Sequence, residues 1–445
     1  MLCLRFGSSA VTVALACIAL FNLAVSGLEL RWRLFAWRTP EAVSEMAWPD
    51  PATSRAPVLR FSLIVAARDE AEHITATLQG LLDQRYPDFE ILVSLCDDDE
   101  PTIRAVEALA AQNPGRLGIV TGHYVKPMKA HQLNSALAVA SGDVVGVFDA
   151  EDDVAVDLLA SVDALFHESQ ADVVQGGVQL MNLGHGLRGW FQVHNVLEYF
   201  FWFTSRMGYQ ARAGFVPLGG NTVFVRRALL TAAGGWPASL TEDCALGVLL
   251  CSRFGAKVVS AYSPELVTRE ETPPSVFNRA EGSLFWQRDR WIRGFIQELR
   301  AGLWREMPTP RQRFLAGYIL ATPLLQALSF VLFPLALLTA FLVKVPVLLA
   351  LLLFAPLITI GMTAITQILG LAEFSRTYGQ KASPWHYASL LLLAPAYQFV
   401  LMSAALMAAY KTSRGDVTWY KTGRAGQHRP SAVTTEGVRT AEALA

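Results

Sequence analysis

The chain has 445 residues, 52% of them hydrophobic, and a mean hydropathy of +0.32, too apolar for an ordinary soluble protein, so one part belongs in water and another in lipid. Lys and Arg total 37 against 38 Asp and Glu, a formal charge of −1, and no global field points to nucleic acid or another acidic polymer. Five cysteines with neither paired spacing nor a C-x-x-C argue against a disulfide framework and a zinc site, and fit a reducing compartment.

Residues 1–38 read as an N-terminal transmembrane helix. Val11 to Leu30 is an apolar run long enough to cross a bilayer, mildly interrupted by Asn22, Ser26 and Gly27. Positive charge lies mainly on its far side, at Arg31, Arg33 and Arg38, and no small-residue cleavage site follows. This favours a retained helix over a signal peptide and puts the chain from Arg31 onward in the cytoplasm. Residues 39–57, rich in Pro, Ala and Ser, read as a linker. Over 58–285 the β-rich runs 61–67, 89–95, 117–121 and 144–148 alternate with helix-like segments 72–82 and 129–140. That alternation predicts an α/β domain with a mostly parallel sheet, helices on both faces, and ligands beyond the carboxyl ends of the strands.

Residues 286–313 carry seven arginines against three acids, interleaved with Trp291, Phe295 and Trp304, which predicts amphipathic helices lying at the inner membrane surface. Residues 314–410 read as a C-terminal transmembrane region with spans at about 315–342, about 347–371 and within 387–410. A transporter or channel would need charged or broken positions in these spans, and Lys344 is the sole candidate. The tail, 411–445, is basic and so expected in the cytoplasm, yet three spans after a cytoplasmic domain would leave it outside. A re-entrant or interfacial segment within Phe314 to Leu371, which holds Pro323, Pro334, Pro346 and Pro356, would reconcile the two.

Acidic clusters fall at the strand ends. Asp97, Asp98 and Asp99 follow the strand ending at Leu95, where a carboxylate can accept hydrogen bonds from a nucleobase or ribose, although Asp is also a favoured turn residue. Asp149, Glu151 and Asp152 follow VVGVF, and carboxylates this close repel one another unless a cation such as Mg2+ or Mn2+ joins them, there bridging to a diphosphate. Glu242 and Asp243 open an amphipathic helix running to Phe254, with Thr241 or Ser239 as N-cap. Acid at a helix start is ordinary, but Asp243 is also placed to take the proton from an acceptor hydroxyl as it attacks an anomeric carbon, an in-line displacement that inverts that carbon. Gln287, Arg290 and Trp291 offer a flat ring for a sugar and a guanidinium fork for the acceptor or leaving diphosphate.

The ordered set A-R-D-E (67–70), C-D-D-D (96–99), K-x-x-K-A-x-x-L-N-x-A-L (126–137), D-A-E-D (149–152), P-L-G-G-N (217–221), G-G-W (234–236), T-E-D (241–243) and Q-R-D-R-W (287–291) resembles the family-2 glycosyltransferases. Among them it is similar to the cellulose-, chitin- and hyaluronan-synthase-like membrane enzymes. The resemblance covers about residues 60–300 and implies a GT-A, Rossmann-like domain on the cytoplasmic side of the cell membrane. It implies a nucleotide-diphosphate sugar donor, usually UDP-hexose, and a divalent cation. Carried over by motif, Glu70 and Asp98 hold the nucleoside, Asp149 and Glu151 take the metal and diphosphate, Lys126 or Lys129 faces the diphosphate, and Asp243 is the base with Glu242 at the acceptor. D-A-E-D departs from the commoner D-A-D: Glu151 is a longer ligand, and Asp152 could substitute for it. Gln287, Arg290 and Trp291 match the Q-x-x-R-W acceptor motif, which with several C-terminal spans favours processive β-glycan synthesis through the membrane, with a partner completing the export channel. Three spans make a small channel, so a single transfer to a lipid acceptor, giving a glycolipid, stands as the alternative.

Overall fold

The computed structural model describes residues 9–39, 48, 58–124, 128–279, 282–416 and 418. All of the expected linker but Thr39 and Trp48, the tail beyond 418 and Lys126 lie outside the described residues. Four of the strands coincide with the apolar runs: β1 Phe61–Ala67, β2 Phe89–Cys96, β3 Leu117–Gly122 and β4 Val144–Phe148. Five shorter ones follow: β5 Val173–Gln175, β6 Val178–Leu180, β7 Val223–Arg226, β8 Val258–Ser260 and β9 Thr268–Glu270. Seven of them form one sheet in the order β3-β2-β1-β4-β7-β5-β8, while β6 and β9 pair separately. Within the large sheet only β7 runs antiparallel to its neighbours. Side chains alternate between faces, so Phe61, Leu63 and Val65 enter one buried layer with Ile74, Leu78 and Phe166, while Ile64 enters the other with Leu133 and Leu246. Helices therefore cover both faces, as the alternating pattern predicts. This is the GT-A architecture.

The helices that shape the site and the membrane region are α1 Ser9–Arg33, α2 Lys129–Leu137, α3 Gln192–Phe201, α4 Glu242–Arg253, α5 Leu284–Ala301, α6 Pro310–Leu342, α7 Val347–Tyr378, α8 Pro384–Leu392 and α9 Ala394–Ser413. Helix α3 continues through a π-helical turn, Trp202–Arg206. By length and composition α1, α6 and α7 can each cross a membrane. Both α6 and α7 run unbroken past their internal prolines, so no re-entrant segment lies between Phe314 and Leu371. The broken element is the α8–α9 pair, bent by 57°. Its start is held to the catalytic domain by His386 Nε2 on the Gly184 carbonyl, 2.8 Å, and its end by Lys411 Nζ on Asp289, 3.1 Å. Between those ends Tyr397, Val400, Ala404 and Ala408 pack on α5 residues Phe285, Ile292 and Ile296. The segment thus begins and ends against the catalytic domain and packs along α5 between.

The arginine-rich stretch also differs from expectation. It forms one long helix, α5, and a 3₁₀ turn, Leu303–Glu306, while Arg311 and Arg313 already belong to α6. Arg293 does not reach toward headgroups. It is 1% exposed and pairs with Asp289, 0% exposed, and it donates to the carbonyls of Asp416 and Thr418.

Candidate active site

Because β1, β2 and β4 are parallel, the loops after them share one sheet edge, and because β7 is antiparallel, the loop that precedes it, P-L-G-G-N, sits at that same edge. Helix α2 is fixed beneath this edge by Gln132, whose Nε2 donates to the carbonyls of Ala67 and Ser94 at 2.9 and 3.1 Å. Its first residue, Lys129, thereby projects between the D-A-E-D loop and α4. Lys129 Nζ forms an ion pair with Asp149 and donates to the Gly220 carbonyl at 2.7 Å. The backbone passes close at Gly220, where a Cβ would lie 3.3 Å from Asp243 Oδ2 and 3.5 Å from Lys129 Nζ.

These groups line one cavity of about 710 Å³. Glu70, Lys129, Asp149, Glu151, Glu242 and Asp243 all face it, as do Gln287, Arg290 and Trp291 from α5. Asp98 does not. Its carboxylate pairs with Arg68 at 2.9 Å, and it is Arg68 that lines the cavity. The three consecutive aspartates have separate duties: Asp97 meets His123, Asp98 meets Arg68, and buried Asp99 accepts from the Asp69 amide at 2.6 Å and caps the helix Glu100–Ala110. Asp69, at φ 56°, is one of three non-glycine residues among those described in the left-handed region, and it borders the cavity, a place where backbone strain is commonly retained for function.

Asp152, which the sequence offers as a substitute for Glu151, turns inward. It is 1% exposed and accepts from Asn221 Nδ2 at 2.9 Å and from the Asp149 amide at 2.8 Å. Burial, then the charges of Glu270, Asp149 and Glu151, raise its pKa well above the ordinary carboxylate range. Glu270, which also takes a hydrogen bond from Asn221 at 2.5 Å and lines the cavity, is a site residue the sequence reading missed, having no motif around it.

At α4, burial pushes the Glu242 carboxyl up to about 7, with the neighbouring Asp243 adding to the shift and Lys129 opposing it. Burial also raises Asp243, against the Cys244 amide that donates to it at 2.7 Å and against Lys129 and Arg290. Lys129 is itself raised: burial would lower it, but Asp149 and Glu242 outweigh that. A half-buried lysine thus stands among carboxylates, one of which, Glu242, is poised to titrate near neutrality. From α5, Gln287 is 4% exposed with Oε1 unpartnered among the described residues, and Trp291 carries the Arg288 guanidinium 4.7 Å over its ring. Arg288 is anchored in turn by Glu198, 2.6 Å, and Asn195, 2.7 Å, on α3.

The cavity does not stop at the polar edge. It continues between α6 and α9, past Thr322, Gln326 and Phe330 on one side and Gln398, Leu401 and Met402 on the other, and reaches Glu29, Trp32 and Arg33 of α1. No sequence motif marks this second arm.

Residues 57–294, more than half of the chain, match the family described as glycosyltransferase like family 2. The chain belongs to that family. Among curated proteins this family-2 glycosyltransferase is 29% identical over 273 residues to the beta-monoglucosyldiacylglycerol synthase of Synechocystis sp., covering 58% of this chain and 52% of that protein. It is 26% identical over 239 residues to the same-named synthase of Trichormus variabilis, 53% and 49% of the two chains, and 26% identical over 247 residues to the probable glycosyltransferase YdaM of Bacillus subtilis, 53% and 55%. The chain spans about half the length of these relatives. Among solved structures it resembles a mannosyltransferase from Pyrobaculum calidifontis in complex with GDP-Man and Mn2+, with a TM-score of 0.59 and 21% identity over 89% of this chain and 99% of that one, a likeness of fold.

Proposed function

We propose that this glycosyltransferase transfers a hexose from a nucleotide-diphosphate sugar, with inversion, to the hydroxyl of a membrane lipid, on the cytoplasmic side. The observation that carries the reading is the single cavity that joins the Asp149, Glu242 and Asp243 carboxylates to an apolar arm between α6 and α9. A soluble acceptor has no need of Phe330, Leu401 and Met402; a lipid has, because each buried CH2 is worth about 0.8 kcal/mol. That two relatives are beta-monoglucosyldiacylglycerol synthases supports a hexose donor and a lipid acceptor.

In this reading the nucleoside end lies against Glu70 and Arg68, with Asp98 acting by holding Arg68 in place. Asp149 and Glu151 would hold a divalent cation. The fit is one of chemistry: both offer hard oxygen ligands to the cavity, and no group of three or more His, Cys, Asp or Glu able to cage a metal exists among the described residues, which suits an Mg2+ or Mn2+ that takes its remaining ligands from diphosphate and water. When bound, that ion neutralises diphosphate charge. Asp243 accepts the proton of the acceptor hydroxyl as its oxygen bonds to the anomeric carbon; the bond to the diphosphate breaks and its electron pair leaves with the nucleotide. Its raised pKa makes Asp243 a stronger base than an ordinary carboxylate. Lys129 and Arg290 counter the charge that gathers on the leaving group.

A second reading, elongation of a β-glycan, rests on Gln287, Arg290 and Trp291 facing the same cavity. Membranes bearing the protein, given a panel of radiolabelled UDP- and GDP-sugars with Mg2+ or Mn2+, decide between them. Label in the lipid extract supports the lipid acceptor, label in insoluble polymer supports elongation, and label in neither overturns both.

A further inference from the structure

The membrane end of the cavity holds a cluster that sugar transfer leaves unused. Glu29, Trp32 and Arg33 lie on one face of the last turns of α1, and Arg206 meets them from the π-helical turn. Ser205 locks the two elements together, its Oγ accepting from the Ala36 amide at 2.9 Å and donating to the Trp32 carbonyl at 2.7 Å. The Arg206 guanidinium is sandwiched between the Trp32 and Trp202 rings, 4.3 and 4.7 Å from their centroids, and its Nη1 reaches Glu29 at 3.1 Å. Arg33 lies over the Phe201 ring at 4.6 Å, and among the described residues it has no hydrogen-bond acceptor and no carboxylate within ion-pair distance. Glu198, the other carboxylate acting on Arg33, is paired with Arg288 at 2.6 Å, so three guanidiniums face two carboxylates, leaving one positive charge in excess.

Arginines at the end of a membrane helix ordinarily reach outward to headgroups, and Arg31 and Arg38 do so by being exposed. Arg33 instead lines the cavity. A second observation points to a ligand. Trp32, 1% exposed, also lines the cavity and, among the described residues, has its indole Nε1 unpartnered, as Arg206 has its Nε and Glu29 its Oε1. Buried donors without partners are costly, about 1–3 kcal/mol each, and recur where a ligand completes them.

We infer that Arg33, Trp32 and Arg206 form a seat for the anionic group, a phosphate ester, of a membrane lipid headgroup. Glu29 Oε1 is then free to accept from a headgroup hydroxyl. The inference rests on the lipid-acceptor reading and narrows it: the acceptor carries its negative charge at Arg33, its apolar chains between α6 and α9, and its nucleophilic hydroxyl toward Asp243.

The test uses the full chain in neutral detergent, with tryptophan fluorescence following titration by dihexanoyl phosphatidylglycerol, by neutral dihexanoylglycerol and by inorganic phosphate. Wild type is expected to favour the anionic lipid by about tenfold or more, the worth of a charge-assisted hydrogen bond. Arg33→Gln is expected to shrink the preference to within about twofold, Arg33→Lys to keep most of it, and both to bind nucleotide sugar like wild type. Equal binding of the two lipids by wild type, or a preference undiminished in Arg33→Gln, overturns the seat while leaving the lipid acceptor standing. Binding of neither lipid overturns the acceptor reading and the seat together. Inorganic phosphate that competes at the same concentration as the anionic lipid marks a free-anion site and overturns the lipid assignment; failure to compete supports it.

Discussion

Gly294→Ala tests whether α5 sets the position of the proposed base. A Cβ on Gly294 would stand 2.6 Å from Thr241 Cγ2 and 2.8 Å from Thr241 Cβ, where carbon atoms prefer about 3.5–4.0 Å, so roughly 1 Å must be yielded. Helix α5 is held by the Arg288–Glu198 pair and the Asp289–Arg293–Lys411 network, so the first turn of α4 gives way. Thr241 is the N-cap of α4 and the next two residues are Glu242 and Asp243. Overpacking costs about 1–3 kcal/mol, and a misplacement near 1 Å lowers rate by about 100-fold. Transfer of radiolabelled hexose into the lipid extract is expected to fall 10- to 100-fold, with the donor dissociation constant unchanged. Moving the glycine across the contact is the control. Among the described residues Thr241 Oγ1 is buried without a partner, and glycine is tolerated at an N-cap, so Thr241→Gly with Gly294→Ala is expected to regain most of the rate. Wild-type turnover in the single variant, or a double variant no faster than the single, would refute the reasoning.

Asp243→Asn is expected to lower transfer by about 100- to 10,000-fold while isothermal titration shows unaltered donor binding; undiminished turnover removes its role as base. The Glu242 carboxyl, at about 7 in the fold against 4.5 in model compounds, binds a proton in the native state over a range where the unfolded chain has lost it. Its contribution to stability is thus complete below about pH 4.5 and is lost as pH rises through about 7. The unfolding free energy of the metal-free protein, by denaturant titration, is expected to decline from pH 5 to pH 8 by on the order of 2–3 kcal/mol, and Glu242→Gln to flatten that decline. Arg293→Ala strands buried Asp289 beside a single lysine, with an expected loss of about 3–5 kcal/mol by denaturant titration; a loss below about 1 kcal/mol would show the network to be dispensable.

Much of the sheet edge is legible in the sequence because parallel strands oblige their carboxyl ends to lie together, and each acidic motif follows such a strand. Pattern alone does not disclose that β7 reverses, yet this reversal brings Gly220 and Asn221 to the edge. Identical side chains in a turn are equally opaque. Asp98 and Asp99 differ only in which way the turn points them, and Asp152 differs from Asp149 by being folded under Asn221. In the membrane region, hydropathy gave spans but not their fate. Prolines in α6 and α7 were accommodated within the helices, while the break fell at Leu393, between α8 and α9. Glu29 lay unremarked inside an apolar run, although a carboxylate near the end of a membrane helix commonly has a basic partner, here Arg206.

The central claim is that the carboxylate edge and the apolar arm serve one reaction. Gln326 lines that arm from α6, away from every acidic motif, and Gln326→Trp would fill it. Paired measurement of lipid-extractable label and of nucleotide-sugar affinity in this variant is the most direct test: the lipid product is expected to fall at least tenfold with donor affinity unchanged, whereas lipid product formed at the wild-type rate would show that the acceptor enters elsewhere.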